Sequence, residues 1–237
     1  MHRQDSRLIG REWQGKAQMK VYCIPGLAFD HRIFANLEWG TFLPHYIDWI
    51  EPHSDECFSA YASRMAKAIP NEAEDLILIG HSLGGMLAQE IATQRNVKTI
   101  VLISSLRSRK EMPWFFKVIK PRFIHHLFSK TFVRRTFRYW ARFHDYETQQ
   151  EQLLFLDMVG KQSNQYLQWA LRSLTNWQTV VLPAKTRLFQ IHGQKDRTFP
   201  CRWLEQPEVV VPGGGHFMVY KKPQIISRHL TDILAFN

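Results

Sequence analysis

Short apolar runs recur along the chain, and each is long enough for one buried strand. Between them, at 58–69 and 223–236, apolar residues recur at helical spacing. Alternation of strands and helices is typical of an α/β fold. We therefore predict a mostly parallel central sheet flanked by helices, with strands at 19–24, 46–50, 76–79, 98–104, 186–191 and 209–211.

The connections between these elements have weaker signals. Ser54, followed by acids at 55 and 56, is typical of a helix N-cap with acids in the first turn. Residues 31–37 fit a short helix, and residues 71–75 a loop. Residues 1–18 are polar, and we predict a tail or a weak edge element there.

The alternation is interrupted once, by a long stretch without a convincing strand. From Leu106 to Thr179 the pattern is helical, aromatic and basic. Residues 106–179 are termed the cap segment below. We predict a single domain over residues 1–237, with its core at 19–105 and 180–237 and the cap segment as a helical insertion.

Length and composition place the chain among ordinary globular proteins. A chain of 237 residues, 45% hydrophobic and 22% charged, suits one α/β domain and not a disordered or fibrous protein. No apolar run approaches bilayer-spanning length and no signal-like segment follows Met1, so we expect a cytoplasmic location. Three widely spaced cysteines indicate neither a disulfide framework nor a zinc site.

The net charge of +10 is concentrated in the cap segment. Arg107 to Arg142 contains 11 Lys or Arg and one acid, which leaves 31 − 11 = 20 basic and 21 − 1 = 20 acidic residues elsewhere. Because the charge is local, we expect no nucleic-acid partner. A solvated face is the favoured interpretation, and attraction of an anionic substrate or of a membrane surface is the less favoured one. The sequence does not predict the oligomeric state.

The most informative stretch is an apolar run that meets Gly80-His81-Ser82-Leu83-Gly84 and then a helical composition. This order predicts a strand, a sharp turn that carries a serine, and a helix. Glycine is needed at 80 and 84 because side chains there would collide with the adjoining strand and helix. The alternative is a glycine-rich turn with an incidental serine.

A serine nucleophile needs a base and a group that orients the base. His216 follows the last predicted strand, and Asp196 follows the strand that ends at Ile191. Both lie at carboxyl ends of strands, where α/β sheets place their chemistry. Taken singly, Asp196 could cap a turn and His216 could be an ordinary loop histidine. We expect His81 to pack or hydrogen-bond beside the serine.

The three motifs, in this order, resemble those of the α/β-hydrolase fold superfamily, over residues 19–236. The stretch 80–85 resembles the nucleophile elbow, His192-Gly193-x-x-Asp196 the acid loop, and Gly215-His216-Phe217 the histidine loop. Pro25-Gly26-Leu27 resembles the oxyanion-hole loop, although many members have His-Gly there. The resemblance implies a small single-domain serine hydrolase with a helical cap.

The resemblance also implies roles for single residues. Ser82 would be the nucleophile, His216 the general base and later acid, and Asp196 the group that fixes the imidazole tautomer. Backbone N–H groups of Leu27 and Leu83 would form the oxyanion hole. The expected reaction is hydrolysis of a small-molecule carboxylic ester or thioester through an acyl-enzyme intermediate.

No cofactor and no metal are expected. His125-His126 and His192 show no paired ligand spacing, and no Lys-Ser or Lys-Thr follows Gly213–Gly215, which disfavours phosphate binding there.

Two alternative functions remain open from the sequence. The same triad could serve an acyltransferase or a lyase or haloperoxidase-like enzyme, or the scaffold could be a non-catalytic ligand receptor. The aromatic residues of the cap segment likewise have two interpretations, either the core of the cap itself or a lid over an apolar pocket. These residues are Trp114, Phe115, Phe116, Phe123, Phe128, Phe132, Phe137, Tyr139, Trp140 and Phe143.

Overall fold

The computed structural model describes residues 19–70, 76–118, 128–141 and 144–235. The predicted tail at 1–18 and the predicted loop at 71–75 lie outside these ranges. Six strands form one sheet in the order β2-β1-β3-β4-β5-β6, and every neighbouring pair is parallel. This confirms the predicted fold class. The strands are β1 Val21–Ile24, β2 Pro44–Tyr46, β3 Leu76–His81, β4 Val97–Ile103, β5 Arg187–Gly193 and β6 Val209–Val211.

Helices alternate with these strands in the described ranges. A short 3-10 helix, His31–Phe34, stands where a helix over 31–37 was predicted. None of the described helices is both long and apolar enough to cross a membrane. The α-helices are α1 Phe58–Met65, α2 Leu83–Ala92, α3 Trp114–Val118, α4 Lys130–Trp140, α5 Gln149–Lys161, α6 Asn164–Asn176, α7 Met218–Lys221 and α8 Pro223–Ala235.

The centre of the sheet is buried on both faces. Every residue of β3 is buried, and so is every residue of α2, which follows it directly. A continuous apolar run such as Leu76–Ile79 is what a parallel strand covered by helices on both sides requires. The carboxyl end of β3 therefore lies deep in the fold, where it can hold a side chain rigidly.

The second strand lies earlier in the chain than predicted. Apolar alternation placed it at 46–50, whereas β2 covers Pro44–Tyr46. Ile50 instead exchanges hydrogen bonds with the Tyr61 hydroxyl, which accepts from its N–H at 3.0 Å and donates to its carbonyl oxygen at 2.7 Å. A side chain thus satisfies backbone groups that the predicted strand would have paired.

The predicted N-cap at Ser54 is wrong. Helix α1 begins at Phe58, and its N-cap, Cys57, makes no side-chain cap hydrogen bond. Asp55 has φ 56°, a left-handed conformation that interrupts a helical path. The acids at 55 and 56 therefore precede the helix instead of occupying its first turn.

The described part of the cap segment is helical. Helices α3 to α6 all lie between β4 and β5. Helix α6 is held against the segment before α1 by two side-chain donors: Gln165 Nε2 donates to Pro52 O at 2.6 Å, and Trp169 Nε1 donates to Glu56 O at 2.8 Å. The indole of Trp169 also packs on Tyr61, with ring centroids 4.0 Å apart.

Candidate active site

Ser82 lies on a strained turn between β3 and α2. Its φ is 52° and its ψ is −121°, outside the favoured regions for a non-glycine residue. Two hydrogen bonds to the end of β4 and the residues after it hold Ser82 in this conformation. Ser82 N donates to Ile103 O at 3.0 Å, and Ser105 Oγ donates to Ser82 O at 2.6 Å. The predicted strand, turn and helix are thus present, with the serine between them.

The glycines on either side of Ser82 are required by close packing. A Cβ atom at Gly80 would overlap the backbone at Gly85, and one at Gly84 would overlap the carbonyl oxygen of Ile24 at the end of β1. Neither glycine has a positive φ. Glycine is therefore required at both positions because there is no space for a side chain, as the sequence predicted, and not because the backbone conformation favours glycine.

Replacing Gly84 by alanine is expected to lower the free energy of unfolding by about 3 kcal/mol, because the added methyl group meets fixed backbone instead of a movable side chain. Urea unfolding of the wild type and the variant measures the change. Gly160→Ala is a matched control in α5, where an added Cβ lies 3.6 Å from its nearest neighbour. Helix propensity predicts that this control raises stability by up to about 1 kcal/mol. Equal stability of Gly84→Ala and wild type would contradict the packing argument.

The structure brings Ser82, His216 and Asp196 together. The Ser82 hydroxyl and His216 Nε2 are 3.0 Å apart, and His216 Nδ1 and Asp196 Oδ2 are 2.8 Å apart. With the Nδ1–H tautomer, the imidazole donates to the carboxylate and accepts from the serine hydroxyl. This chain of two hydrogen bonds is the arrangement that activates a serine.

The Asp196 carboxylate is buried, and both of its oxygens have hydrogen-bond partners. Its Oδ1 accepts from the N–H groups of Thr198 and Phe199, at 2.8 and 2.9 Å, and its Oδ2 faces His216. Burial alone would raise its pKa, but the charge of His216, followed by the hydrogen bonds from His192 and His216, holds the pKa well below its usual range. The group is therefore an anion at neutral pH.

Two further histidines surround this pair. His192 Nε2 lies 2.7 Å from Phe199 O, to which it donates, and 3.3 Å from Asp196 Oδ2. His81 Nε2 lies 2.9 Å from the backbone carbonyl oxygen of His216, so His81 hydrogen-bonds beside the serine as predicted. Burial, followed by the charge of His216, lowers the pKa of His81 to about 3.

The two residues predicted to supply oxyanion donors both lie near Ser82. Leu83 is the first residue of α2, where backbone N–H groups have no intrahelical acceptor. Leu27 lies in a tight turn closed by Phe29 N donating to Gly26 O at 3.1 Å, and it lines the same cavity as Ser82. Their position suits the predicted role, which stays a prediction.

Ser82 opens into a cavity of about 270 Å³ with a mostly apolar wall. The cap segment supplies eight of the fourteen residues of this wall, including His144, which the sequence offered no reason to single out. The lining residues are Leu27, Ala28, Phe29, Ser82, Phe116, Phe128, Val133, His144, Tyr146, Phe155, Leu171, Leu174, Thr198 and His216.

The cap aromatics divide between the two predicted uses. Phe137 is 4% exposed and stacks on Phe155, as a residue of the cap core should, whereas Phe116 and Phe128 line the Ser82 cavity. Trp114 and Tyr139 are 64% and 71% exposed and serve neither use. The predicted residues Phe123 and Phe143 lie outside the described ranges.

No group of three or more His, Cys, Asp or Glu side chains in the described residues is arranged to hold a metal ion. His125 and His126, which the sequence raised as metal candidates, lie outside the described ranges.

Comparison with known proteins places these features in a family. A family model described as the alpha/beta hydrolase family matches residues 21–228. None of the curated proteins searched matches the sequence significantly.

Three solved structures illustrate the similarity in fold. One described as a thermophilic esterase is 19% identical, with a TM-score of 0.63 over 95% of this chain and 91% of that one. MenH from S. aureus is 16% identical, with a TM-score of 0.70 over 94% and 95%. An epoxide hydrolase from Bacillus megaterium is 11% identical, with a TM-score of 0.69 over 92% and 93%. At these identities the similarity concerns the fold.

Proposed function

Because the chain belongs to the α/β-hydrolase family, we propose that it is a serine hydrolase that cleaves a carboxylic ester or thioester through an acyl-enzyme intermediate. The observation that carries this proposal is the hydrogen-bonded chain from Ser82 Oγ through His216 to Asp196, at 3.0 and 2.8 Å. It begins on a strained turn, and the nucleophile faces an apolar cavity. A strained backbone, a proton acceptor and a cavity occur together at Ser82. Backbone strain lowers stability, so this combination is better explained by a catalytic role than by packing alone.

In the first half-reaction, Ser82 Oγ attacks the carbonyl carbon and its proton passes to His216 Nε2. The carbonyl oxygen becomes an oxyanion, for which the N–H groups of Leu27 and Leu83 are the proposed donors. Each such donor is typically worth roughly 3 kcal/mol in the transition state. As the tetrahedral intermediate collapses, the bond to the alcohol or thiol breaks and His216 returns the proton to the leaving atom.

The second half-reaction repeats these steps with water. His216 removes a proton from water, whose oxygen attacks the acyl carbon, and the bond to Ser82 Oγ breaks as His216 returns the proton to the serine. The carboxylic acid leaves. Throughout, the Asp196 anion stabilises the imidazolium and keeps its Nδ1–H pointed away from the serine.

The cavity supports a short apolar acyl group as substrate. At about 270 Å³ it lies just below the usual range for ligand pockets, and rings and aliphatic side chains dominate its wall. With p-nitrophenol as a common leaving group, we expect kcat/KM to be highest for acetyl to butanoyl esters and at least about tenfold lower for the dodecanoyl ester. Matching thioesters test the second substrate class.

Leu171→Ala is the matched variant, since this wall residue is only half-buried and its truncation enlarges the cavity. The variant should move the optimum to longer acyl chains. A wild-type optimum at dodecanoyl, or an optimum that Leu171→Ala leaves in place, would contradict the assigned acyl cavity. Absence of turnover on every ester and thioester would contradict the proposed reaction itself.

A further inference from the structure

The turn at residues 144–146, which follows α4, is held against the histidine loop by side-chain contacts. The carbonyl oxygen of Asp145 accepts from Lys221 Nζ at 2.8 Å. The carboxyl group of Asp145 lies directly against Gly215, and a Cβ atom at Gly215 would overlap this carboxyl group. The ring of Tyr146 packs on Phe217, with centroids 5.0 Å apart. The position of this turn over the histidine loop is therefore set by three separate contacts.

This turn carries His144 into the cavity of Ser82. His144 Nδ1 and Thr198 Oγ1 are 3.1 Å apart, and both side chains line the cavity. Apart from the catalytic Ser82 and His216, the other polar side chain in the described wall is Tyr146, whose ring packs against aromatic neighbours. His144 and Thr198 thus form one polar patch in an apolar wall.

The patch is linked through the acid turn to His216, the residue that must protonate a leaving group. The leaving atom has to come within reach of His216 Nε2 to receive its proton. Thr198 is held to the acid turn by its N–H, which donates to Asp196 Oδ1 at 2.8 Å, and Asp196 in turn binds His216. His144, bonded to Thr198, therefore lines the same cavity as this proton donor.

The imidazole of His144 can both donate and accept a hydrogen bond at neutral pH. Burial, followed by the charge of His216, lowers its pKa to about 4. A neutral imidazole next to a hydroxyl group suits an uncharged polar partner, such as an alcohol, better than an anion.

We propose that His144, with Thr198, is a specificity-determining residue that hydrogen-bonds a hydroxyl or similar uncharged polar group on the leaving alcohol or thiol. This inference rests on the proposed esterase function and deepens it. A leaving group without such an atom forgoes this hydrogen bond to the patch. Because His144 and Thr198 already bond to each other, the cost corresponds to about one net hydrogen bond, or roughly a tenfold change in kcat/KM.

The test compares two esters of nearly equal shape with the same acyl group. Propyl and 2-hydroxyethyl butanoates differ by a methyl group in place of a hydroxyl group at the end of the alcohol. Each kcat/KM is divided by the rate constant of hydroxide-catalysed hydrolysis, which removes the difference in intrinsic reactivity. We expect the wild type to prefer the hydroxyethyl ester by about tenfold, and His144→Phe to lose this preference. His144→Gln, which keeps donor and acceptor groups, should regain part of it.

Leu171→Met is the matched control, because it changes an apolar part of the same wall, and it should keep the preference. Equal normalised kcat/KM for both esters in the wild type, or an unchanged preference in His144→Phe, would overturn the role of His144 while ester hydrolysis stands. Failure of the proposed function has a different signature, since the wild type would then turn over neither ester and Ser82 would not react with a fluorophosphonate.

Discussion

Replacing Ser82 by alanine is expected to lower kcat for ester hydrolysis by about 10⁶-fold, because the variant has no nucleophile and forms no acyl-enzyme. A small residual rate over water should remain, since the proposed oxyanion donors and the cavity persist. KM should change little, because the methyl group of alanine leaves the apolar wall intact. Steady-state kinetics on p-nitrophenyl butanoate measures both parameters.

Ser104→Ala is the matched control for this variant. Ser104 is a buried serine just after β4 that also has a positive φ, 49°, and its hydroxyl has no hydrogen-bond partner among the described residues. Its replacement should leave kcat within about twofold, because alanine tolerates that backbone as well as serine does. A Ser82→Ala variant that retains the kcat of the wild type would show that the nucleophile is another group.

Replacing Asp196 by asparagine is expected to lower kcat by about 10⁴-fold while the protein stays folded. The hydrogen bonds around the carboxylate explain why. Two backbone donors, Thr198 N and Phe199 N, hold one oxygen, so the amide oxygen of asparagine takes that place. Its NH₂ group must then face His216 Nδ1, which favours the Nε2–H tautomer. In that tautomer His216 cannot accept the proton of Ser82.

Asp157→Asn is the control for loss of an aspartate charge, since Asp157 is a surface residue paired with Arg32 and Lys161. It should keep full kcat. Circular dichroism and thermal unfolding establish that Asp196→Asn is folded before its kinetics are compared. A kcat within tenfold of the wild type would mean that the Asp196 carboxylate does not set the tautomer of His216.

The parts of the fold that local sequence determines were predictable. Strands β3 and β6 begin where the apolar runs predicted, at Leu76 and Val209. For β3 the reason is that a continuous aliphatic run is typical of a strand buried on both faces. The position of β2 was not predictable in the same way. Its neighbour Ile50 is satisfied by the Tyr61 hydroxyl, a contact between segments that hydrophobic periodicity does not record.

The proximity of Ser82, Asp196 and His216 was predictable because each belongs to a short motif at the end of a strand. Glycine at 80 and 84 indicates that the backbone packs closely on both sides of Ser82. The positions of Asp196 and His216 after later strands indicate that both lie at the same edge of the sheet as Ser82. His144 had no such signal. It reaches the site only because its turn is fastened over the histidine loop by contacts far apart in sequence, such as Lys221 Nζ to Asp145 O.

The cavity at Ser82 was the least predictable feature. Which aromatic residues of the cap segment line a cavity, which form its core and which are exposed depends on how the helices pack against the sheet. Phe116 lines the cavity, whereas its near neighbour Trp114 is exposed. Both are aromatic residues of the same short helix, α3, so their residue type does not predict which of them lines the cavity. Only the packing of the folded chain distinguishes the two positions.

The central claim is that Ser82 is an activated nucleophile, and covalent labelling by a fluorophosphonate followed by peptide mass spectrometry tests it most directly. The reagent reacts with a serine whose proton a neighbouring histidine accepts. The account predicts one phosphonyl group per chain, located on Ser82, and no label on the folded Ser82→Ala variant. Folded wild-type protein that remains unlabelled, or that carries the label on another residue, would contradict it.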